Sequence, residues 1–327
     1  MSKRTRQKRV LIAALVLILV MVTIYSGLRI LESTVLYTTP EQTEVPRKTI
    51  QREGVEYFPR QDITVILVMG IDQEGKVVSS GSYRNNGEVD VVSLVVLDQR
   101  EECYRVLSLN RDTMVTMPAL GLGGKQAGTF YGQLALSHTY GSGLADSAEN
   151  TRQTVSELLY GLRIDHYVAV NMDAIGIVND AVGGVTVNVT DDFSQVDPTI
   201  TKGTMTLHGD QAMTFVRTRK DVGTQMNLSR MERQKEYMAG LSQALTEKVT
   251  ASESFAVELY DALAEYMVTD CSVNVISGLI QRCGEYPLAE NLTLPGENVL
   301  GEEYYEFYVN PEETDQLILR LFYEPKE

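Results

Sequence analysis

The most distinctive chemistry in this sequence is a basic window at 215–235 inside an acidic chain. The chain has 29 Lys and Arg against 44 Asp and Glu, a formal net charge of −15. Guanidinium forks match phosphate oxygens, so arginines that converge would bind a multiply charged anion. Spacing alone leaves open that they are solvated side chains paired with nearby acids. In an extended segment, residues two apart point to the same side, which groups Arg217 with Arg219. On a helix, residues three or four apart share one face, which groups Arg230 with Arg233 and Gln234.

Three aspartates stand at the ends of apolar runs. Asp72 follows VILVMGI, Asp90 enters VVSLVVLD, and Asp112 follows LSLNR. Carboxylates at the ends of neighbouring buried strands can meet at one edge of a sheet, and Asp72 with Asp90 would then offer oxygen ligands that suit Mg²⁺. Each one alone could equally be a turn residue or a helix cap. Arg111 directly follows the third run, where it needs either an acidic partner or a bound anion.

Other polar residues give weaker signals. His138 and Tyr140 in LSHTYG could line a pocket, although a single histidine is more often a packed structural residue. The sequence contains no nucleophile elbow, Walker loop, HExxH or CxxC motif, so covalent Ser or Cys catalysis and zinc chemistry have little support. The acidic balance also argues against general nucleic-acid binding, which needs a basic face.

The N-terminal segments indicate a membrane anchor. Residues 10–28 are uncharged, and at about 1.5 Å per residue they match the hydrocarbon thickness of a bilayer. The basic tail at 1–9 then predicts a cytoplasmic N-terminus and an extracytoplasmic remainder of a single-pass cell-membrane protein. A cleaved signal peptide is the alternative, but its apolar region would be shorter. The polar, proline-punctuated segment 29–60 is predicted to be a linker.

The elements that must position these residues are alternating strands and helices. Continuous apolar runs predict buried strands at 63–71, 89–98 and 104–112, with the folded part beginning at Asp62. We predict an α/β (α+β) fold in which a mixed central sheet is flanked by helices on both faces, as a single domain. Its main part is 61–249, and 250–327 is an extension packed on the same domain. The glycine-rich stretch 117–133 is expected to be irregular.

Two further local expectations concern the arginines and the cysteines. A helix starting near Gly209 is predicted to end in an extended segment that carries Arg217 and Arg219. Cys271 and Cys283 could form a disulfide outside the cytoplasm, but sequence does not decide this.

Six segments follow one another along the chain. They are VILVMGIDQ (65–73), EVDVVSLVVLD (88–98), VLSLNRDTMV (106–115), LSHTYGSG (136–143), DHYVAVNMDAIGIVNDAVGGVTVNV (165–189), and LHGDQAMTFVRTRKD with LSRMERQ (207–221 and 228–234). Together they resemble the LytR–CpsA–Psr family of membrane-anchored cell-wall glycopolymer ligases. The resemblance runs over about 65–245, in the family's order, and the pair DAVGGVTV and FVRTR…RMERQ is its most specific part.

The resemblance implies a phosphotransferase whose substrate is a polyprenyl-pyrophosphate-linked glycan. Its lipid would lie in an apolar tunnel, and its pyrophosphate would bind arginines and Mg²⁺. A peptidoglycan hydroxyl would attack the glycan-side phosphorus, leaving a phosphodiester, with pyrophosphate cleavage as a side activity. Matched residue by residue, Asp72 and Asp90 correspond to the metal and base carboxylates. The pyrophosphate-binding positions are Arg111, Arg217, Arg219, Arg230, Arg233 and Gln234.

The sequence departs from the family pattern on the acidic side. Glu74 and Glu88 stand where the family often has arginines, and Arg84 in the intervening loop could reach in as a replacement. Glu88 adds a negative charge beside the expected metal. These changes raise an alternative function, a binding or regulatory protein that keeps the polyprenyl-pyrophosphate pocket with weakened turnover.

Overall fold

The described chain forms two compact units. The computed structural model describes residues 49–326, apart from 84–85, 122–123, 219–221, 223–225, 253–254, 272–274, 276–278, 280–281, 284–285 and 302–303. A sheet unit comprises 49–171, 267–271 and 286–326, and a helical unit comprises 172–266 and the described residues of 272–285. The sequence predicted one continuous domain at 61–249, whereas the chain leaves the sheet unit at 171 and returns to it at 267.

The sheet unit is built on strands and two helices. Its helices are α1 (Ala145–Leu158) and α6 (Pro311–Phe322). Its strands are β1 (Ile50–Arg52), β2 (Val55–Pro59), β3 (Ile63–Ile71), β4 (Val89–Asp98), β5 (Cys103–Leu109), β6 (Met114–Leu120), β7 (Gln126–Gln133), β8 (His166–Asn171), β11 (Met267–Thr269), β12 (Leu288–Thr293), β13 (Gly296–Leu300), β14 (Tyr305–Val309) and β15 (Tyr323–Pro325).

A six-stranded mixed sheet lies at the centre, in the order β11-β8-β3-β4-β5-β12. Strand β3 is parallel to β8 and β12 is parallel to β5, while the other neighbours are antiparallel. The mixed sheet and its central strands at 63–71 and 89–98 are therefore confirmed. The segment after 250 was predicted to pack on the domain, but β11 and β12 form the two edges of the sheet itself.

The largest apolar cluster of the sheet unit occupies one face of this sheet, and Ile66 and Val95 are buried on the opposite face. Leu67, Leu94 and Leu107 lie opposite one another on β3, β4 and β5 and have no exposed surface. Val155 of α1 and Ile318 of α6 belong to the same apolar cluster, so both helices cover this face. Burial of such side chains contributes roughly 1.5–3 kcal/mol each. Helices on the opposite face remain a prediction.

The folded chain begins before Asp62, which corrects the predicted linker at 29–60. Strand β2 pairs antiparallel with β1 and with β15. Arg60, which follows β2, donates to both carboxylate oxygens of the fully buried Asp98 at 2.8 Å. Arg105 adds a third bond to Asp98 at 2.9 Å. The sequence pattern did not predict these short strands, because what holds them in place, strand β15 and Asp98, lies far away in the sequence.

The stretch 117–133, predicted to be irregular, is mostly an antiparallel hairpin of β6 and β7. Its glycines do not break the strands. Gly132, for example, pairs with Val115 within the ladder. Most of β7 is exposed, so the alternation of apolar and polar residues that reveals a half-buried strand is missing.

The helical unit contains one hairpin and four helices among its described residues. The elements are α2 (Asp173–Ala181), β9 (Val185–Val189), β10 (Gly203–Leu207), α3 (Asp210–Arg217), α4 (Met226–Ala251) and α5 (Phe255–Leu263). Arg217 is the last residue of α3, so it is helical, not extended as predicted. The extended conformation begins only at Thr218 (ψ 130°).

The structure bears on two further expectations. The predicted anchor at 10–28 lies outside the described residues, and among those described no helix is both long and apolar enough to cross a membrane. All three cysteines are buried free thiols, including Cys271 and Cys283.

Candidate active site

Arg111, just beyond the end of β5, faces three carboxylates. Its Nη2 lies 3.1 Å from Oε2 of Glu88, its Nε lies 3.5 Å from Oδ1 of Asp112, and its Nη1 contacts Oδ1 of Asp90. Its side chain is 35 % exposed, so the group is open to solvent on one side. The sequence predicted that an arginine here needs an acidic partner or an anion, and the structure supplies three acids for one guanidinium.

A bulge in β4 directs Asp90 to this group. Gly70 pairs with Val91 and Ile71 pairs with Val89, which leaves Asp90 as the extra residue. Both Val89 and Val92 belong to the core cluster, so Asp90 and Val91 turn to the other side together. Bulges commonly re-aim a side chain in this way. Sequence alone could not show the bulge, because it depends on the register with β3.

Asp72, which follows β3, and Glu88, which precedes β4, are paired through their backbones and point to the same side of the sheet as Asp90. The backbone N–H of Asp72 donates to the carbonyl of Glu88 at 2.8 Å. The preceding pair, Ile71 and Val89, points into the core. Because side chains alternate along a strand, Asp72 and Glu88 leave the sheet on the opposite side. Asp72 is therefore an exposed carboxylate beside Glu88, on the side of the strands from which Glu88 reaches Arg111.

The donor set of this group fits a hard divalent cation. Asp72 and Asp90 supply carboxylate oxygens, and the acids around Arg111 outnumber its single positive charge. Oxygen ligands and partial exposure suit Mg²⁺, which keeps several of its waters. Neither aspartate belongs to the tighter groups that the described residues form, in which ligand atoms lie within 4.8 Å of one another. Those groups are Asp98 with Glu101 and Cys103, and His166 with Asp270 and Cys271.

His138 holds the loop that leads into Glu88. It is 2 % exposed, and its Nδ1 lies 3.0 Å from the carbonyl of Asn86 and 3.3 Å from that of Gly87. Thr139 donates to the same Gly87 carbonyl at 3.2 Å. Burial lowers the pKa of His138, and the two carbonyls and Asp146 oppose that shift. The neutral ring with a proton on Nδ1 can donate to both carbonyls. His138 is therefore a packed structural residue and does not line an open pocket.

Acidification should weaken this loop through His138. The folded pKa lies below the ordinary value of about 6.5, so between the two values the unfolded chain binds a proton that the folded chain does not. The contribution of His138 to the free energy of unfolding is therefore fully present above about pH 6.5, and it falls as the pH drops toward the folded pKa. We expect the Tm difference between the protein and His138→Asn to narrow between pH 7.5 and 5. A constant difference would contradict this role.

Tyr140, the other half of the predicted pocket pair, packs in the sheet unit. Its ring lies 5.4 Å from that of Phe130, centroid to centroid, and it is partly buried against the core cluster. The structure thus brings Asp90, Arg111 and Asp112 together, places Asp72 beside Glu88, and gives His138 and Tyr140 packing roles in the same unit. Arg84, the suggested replacement for an arginine at 88, lies outside the described residues.

In the helical unit, Arg233 is buried and holds the segment that follows α3. Its side chain is 3 % exposed. Its Nε donates to the carbonyl of Phe215 at 2.9 Å, its Nη2 donates to that of Thr218, and its Nη1 pairs with Asp191. Its guanidinium also lies over the ring of Phe193. Every donor group of Arg233 is engaged inside the unit, so it is not the open phosphate ligand that its spacing suggested.

Of the remaining predicted phosphate ligands, the structure describes the side chains of Gln234 and Arg217. Gln234 is exposed and donates to the carbonyl of Val216 at 3.2 Å. Arg217 is exposed at the end of α3. Arg230 stands one turn before Arg233 and Gln234 on α4, but its side chain is not described, and Arg219 lies outside the described residues. Arg233 and Gln234 therefore hold the C-terminal end of α3, which carries Arg217.

Two polar residues that contact the candidate site residues were not predicted from the sequence. Gln133 donates to Oδ1 of Asp112 at 3.2 Å and to the carbonyl of Tyr305 at 2.9 Å. Asp191 is the ion partner of Arg233. Neither stands in a recognisable motif. Gln133 ends a strand that was predicted to be irregular, and Asp191 resembles an ordinary turn acid, so only tertiary pairing reveals them.

Comparison with known proteins decides the family. The model of the LytR_cpsA_psr family matches residues 25–321. The chain belongs to the LytR_cpsA_psr family. This confirms the family resemblance that the sequence segments carried.

The similar proteins include teichoic acid transferases. Polyisoprenyl-teichoic acid–peptidoglycan teichoic acid transferase TagU of Oceanobacillus iheyensis is 29 % identical over 70 % of this chain and 66 % of the relative. The transferase of the same description named TagT, from Bacillus subtilis, is 26 % identical over 80 % of this chain and 77 % of the relative. The crystal structure of protein gbs0355 from Streptococcus agalactiae shares the fold, with a TM-score of 0.61 and 23 % identity over 80 % of this chain and 86 % of that one.

Proposed function

We propose that this protein transfers a glycopolymer from a polyprenyl-pyrophosphate carrier to a peptidoglycan hydroxyl, forming a phosphodiester. Family membership and the names of its relatives support the reaction class. The observation that carries the proposal is Arg111, a half-exposed guanidinium among the carboxylates of Glu88, Asp90 and Asp112. Phosphoryl transfer requires positioning and charge neutralisation, which such a group supplies without a protein nucleophile.

The chain's own residues have distinct roles in this reaction. Arg111 exchanges part of its carboxylate contacts for pyrophosphate oxygens and stabilises the negative charge that develops on them. Asp90 accepts the proton of the attacking sugar hydroxyl. The hydroxyl oxygen bonds to the glycan-side phosphorus, the phosphoanhydride bond breaks, and polyprenyl phosphate leaves. Attack by water instead would give the pyrophosphate cleavage expected as a side activity.

A magnesium ion and the second arginine group complete the proposal. Asp72 and Asp90 are the residues that would hold Mg²⁺, which when bound neutralises charge on phosphate oxygens. Arg217, Arg219 and Arg230 remain the proposed phosphate ligands of the helical unit, and Arg233 holds the end of α3 that carries Arg217. We also propose a single-pass cell-membrane protein with its N-terminus in the cytoplasm and both units outside.

A reconstituted transfer assay tests this function. Full-length protein in detergent is supplied with a short-chain polyprenyl-pyrophosphate sugar, Mg²⁺ and a peptidoglycan oligosaccharide. We expect mass spectrometry to detect the sugar-phosphate attached to the acceptor, together with released polyprenyl phosphate, and EDTA to abolish both. The proposal fails if neither product forms while an active family member works under the same conditions.

A second function, a binding or regulatory protein with weakened turnover, is favoured by one contact. Glu88 binds Arg111 at 3.1 Å and so competes with phosphate oxygens for the same guanidinium. Copurification of a polyprenyl phosphate lipid without any transfer in the assay would support this function.

Removing the charge of Glu88 should strengthen donor binding or turnover. A partly exposed ion pair is worth about 1 kcal/mol, which corresponds to roughly a fivefold effect. We expect kcat/KM for the donor to rise by about that factor in Glu88→Gln, and further in Glu88→Arg. The matched control is Glu101→Gln, which removes an exposed acid paired with Arg105. No gain in either Glu88 variant would contradict the competition.

A further inference from the structure

Three exposed tyrosines form a surface group that the proposed chemistry does not use. Tyr131, Tyr304 and Tyr308 are 57 %, 48 % and 40 % exposed. Tyr308 donates its hydroxyl hydrogen to Oε2 of Glu306 at 2.6 Å. Glu306 and Tyr308 alternate along β14, and Tyr304 comes just before that strand at the same spacing, so the three side chains leave one side of the chain. Tyr131 stands two residues before Gln133 on β7, and Gln133 donates to the carbonyl of Tyr305 at 2.9 Å, which holds the two strands together. The hydrogen bond to Glu306 is the main reason that the pKa of Tyr308 rises to about 12. We call these three tyrosines and Glu306 the tyrosine patch.

The tyrosine patch lies beside the backbone that carries Arg111. Thr113 forms a parallel bridge with Phe307, and the N–H of Phe307 donates to the carbonyl of Asp112 at 2.9 Å. Bridged backbones run about 4.8 Å apart. Gln133 links the carboxylate of Asp112 to the carbonyl of Tyr305. The patch is thus tied to the Arg111 group by backbone and side-chain bonds within one unit.

The composition of the patch selects among ligands. Tyrosine rings present flat apolar faces with a polar rim, and Glu306 offers an acceptor for hydroxyl hydrogens. The patch residues include no cation, and the whole chain has a formal net charge of −15. A phosphate chain or an anionic lipid headgroup would be repelled here. A sugar ring fits, because it has a C–H face for stacking and hydroxyl groups at its edge.

We propose that the tyrosine patch binds the acceptor glycan, stacking its sugar rings on the tyrosines while Glu306 accepts a hydrogen bond from a sugar hydroxyl. The inference rests on the proposed transfer function and assigns the acceptor subsite of the same site. Its place beside Asp112 lets a glycan held on the rings present a neighbouring hydroxyl to Arg111 and Asp90. The donor, whose pyrophosphate is anionic, binds elsewhere in the site.

Glycan binding can be measured without any donor. The probe is a soluble peptidoglycan oligosaccharide of alternating N-acetylhexosamines, titrated into full-length protein in detergent by calorimetry. We expect Tyr131→Ala combined with Tyr308→Ala to weaken binding at least about tenfold, because both variants remove an apolar ring face on which a sugar would stack. Tyr308→Phe keeps the ring and should lose less, whereas Glu306→Gln should weaken binding through the lost acceptor. The matched control is Tyr160→Ala, an exposed tyrosine on the same unit.

Kinetics separate this subsite from a general structural role. The double tyrosine variant should raise the acceptor KM while leaving the donor KM and donor cleavage by water unchanged. The proposal is overturned if the protein does not bind the oligosaccharide, if the double variant binds it as tightly, or if the patch instead mediates binding to anionic lipid vesicles. Glycan binding without any transfer would count against the proposed function and leave the acceptor subsite standing.

Discussion

Replacement of Arg111 by alanine is expected to reduce glycopolymer transfer by about 100- to 1000-fold, the usual effect of removing one group that stabilises transition-state charge. Arg111 is the cation of the strand-end group, and the substitution leaves Glu88, Asp90 and Asp112 facing one another without it. Those carboxylates would then repel the anionic donor. The loss should therefore appear in both kcat and the donor KM.

Two variants distinguish this role from a loss of folding. Arg111→Lys keeps one positive charge but loses the planar fork, so we expect it to retain partial activity, about tenfold above Arg111→Ala. Arg100→Ala is the matched control, because Arg100 is a 58 % exposed arginine with acidic partners at Asp62 and Glu324. It should change activity little. If Arg111→Ala keeps more than about a tenth of the activity with an unchanged Tm, Arg111 is not the charge-stabilising group.

The placement of Asp90, Arg111 and Asp112 at neighbouring strand ends could be predicted from sequence because it follows from local pattern. Runs of branched apolar residues define β3 and β4, and the aspartates come directly before or after turns. Antiparallel pairing of neighbouring strands then brings those ends together. What pattern could not supply was the bulge that turns Asp90, the three-way sharing of Arg111, and the hairpin beside it. Each depends on register or on partners far away in the chain.

The helical side shows the opposite limit. The spacing of Arg233 and Gln234 from Arg230 predicted one shared helix face. Spacing does not tell which side chains meet solvent, and here Arg233 is buried whereas Gln234 is exposed. Arg233 faces the interior, where Asp191 and two backbone carbonyls bind it. Some arginines of the basic window therefore stabilise the fold. Only the exposed fraction of each side chain shows which of them can reach a ligand.

Replacement of Arg233 by alanine should lower the free energy of unfolding by about 3–5 kcal/mol, the cost of breaking a buried ion pair on one side. Asp191 would lose its partner, and the carbonyls of Phe215 and Thr218 would lose their donors. We expect the Tm to fall by roughly 10 °C, measured by thermal unfolding of the full-length protein. Arg233→Lys restores the charge but not the three contacts, so it should recover only part of the loss.

Gln234→Ala and Arg217→Ala complete the experiment. Gln234 is exposed and makes one long bond to Val216, so its removal should cost at most about 1 kcal/mol. Arg217→Ala should raise the donor KM with little change in Tm, as expected for an exposed phosphate ligand. If Arg233→Ala raises the donor KM but leaves the Tm unchanged, Arg233 is itself a ligand. If a double-mutant cycle finds no coupling between Arg233 and Asp191, the buried pair does not hold the turn.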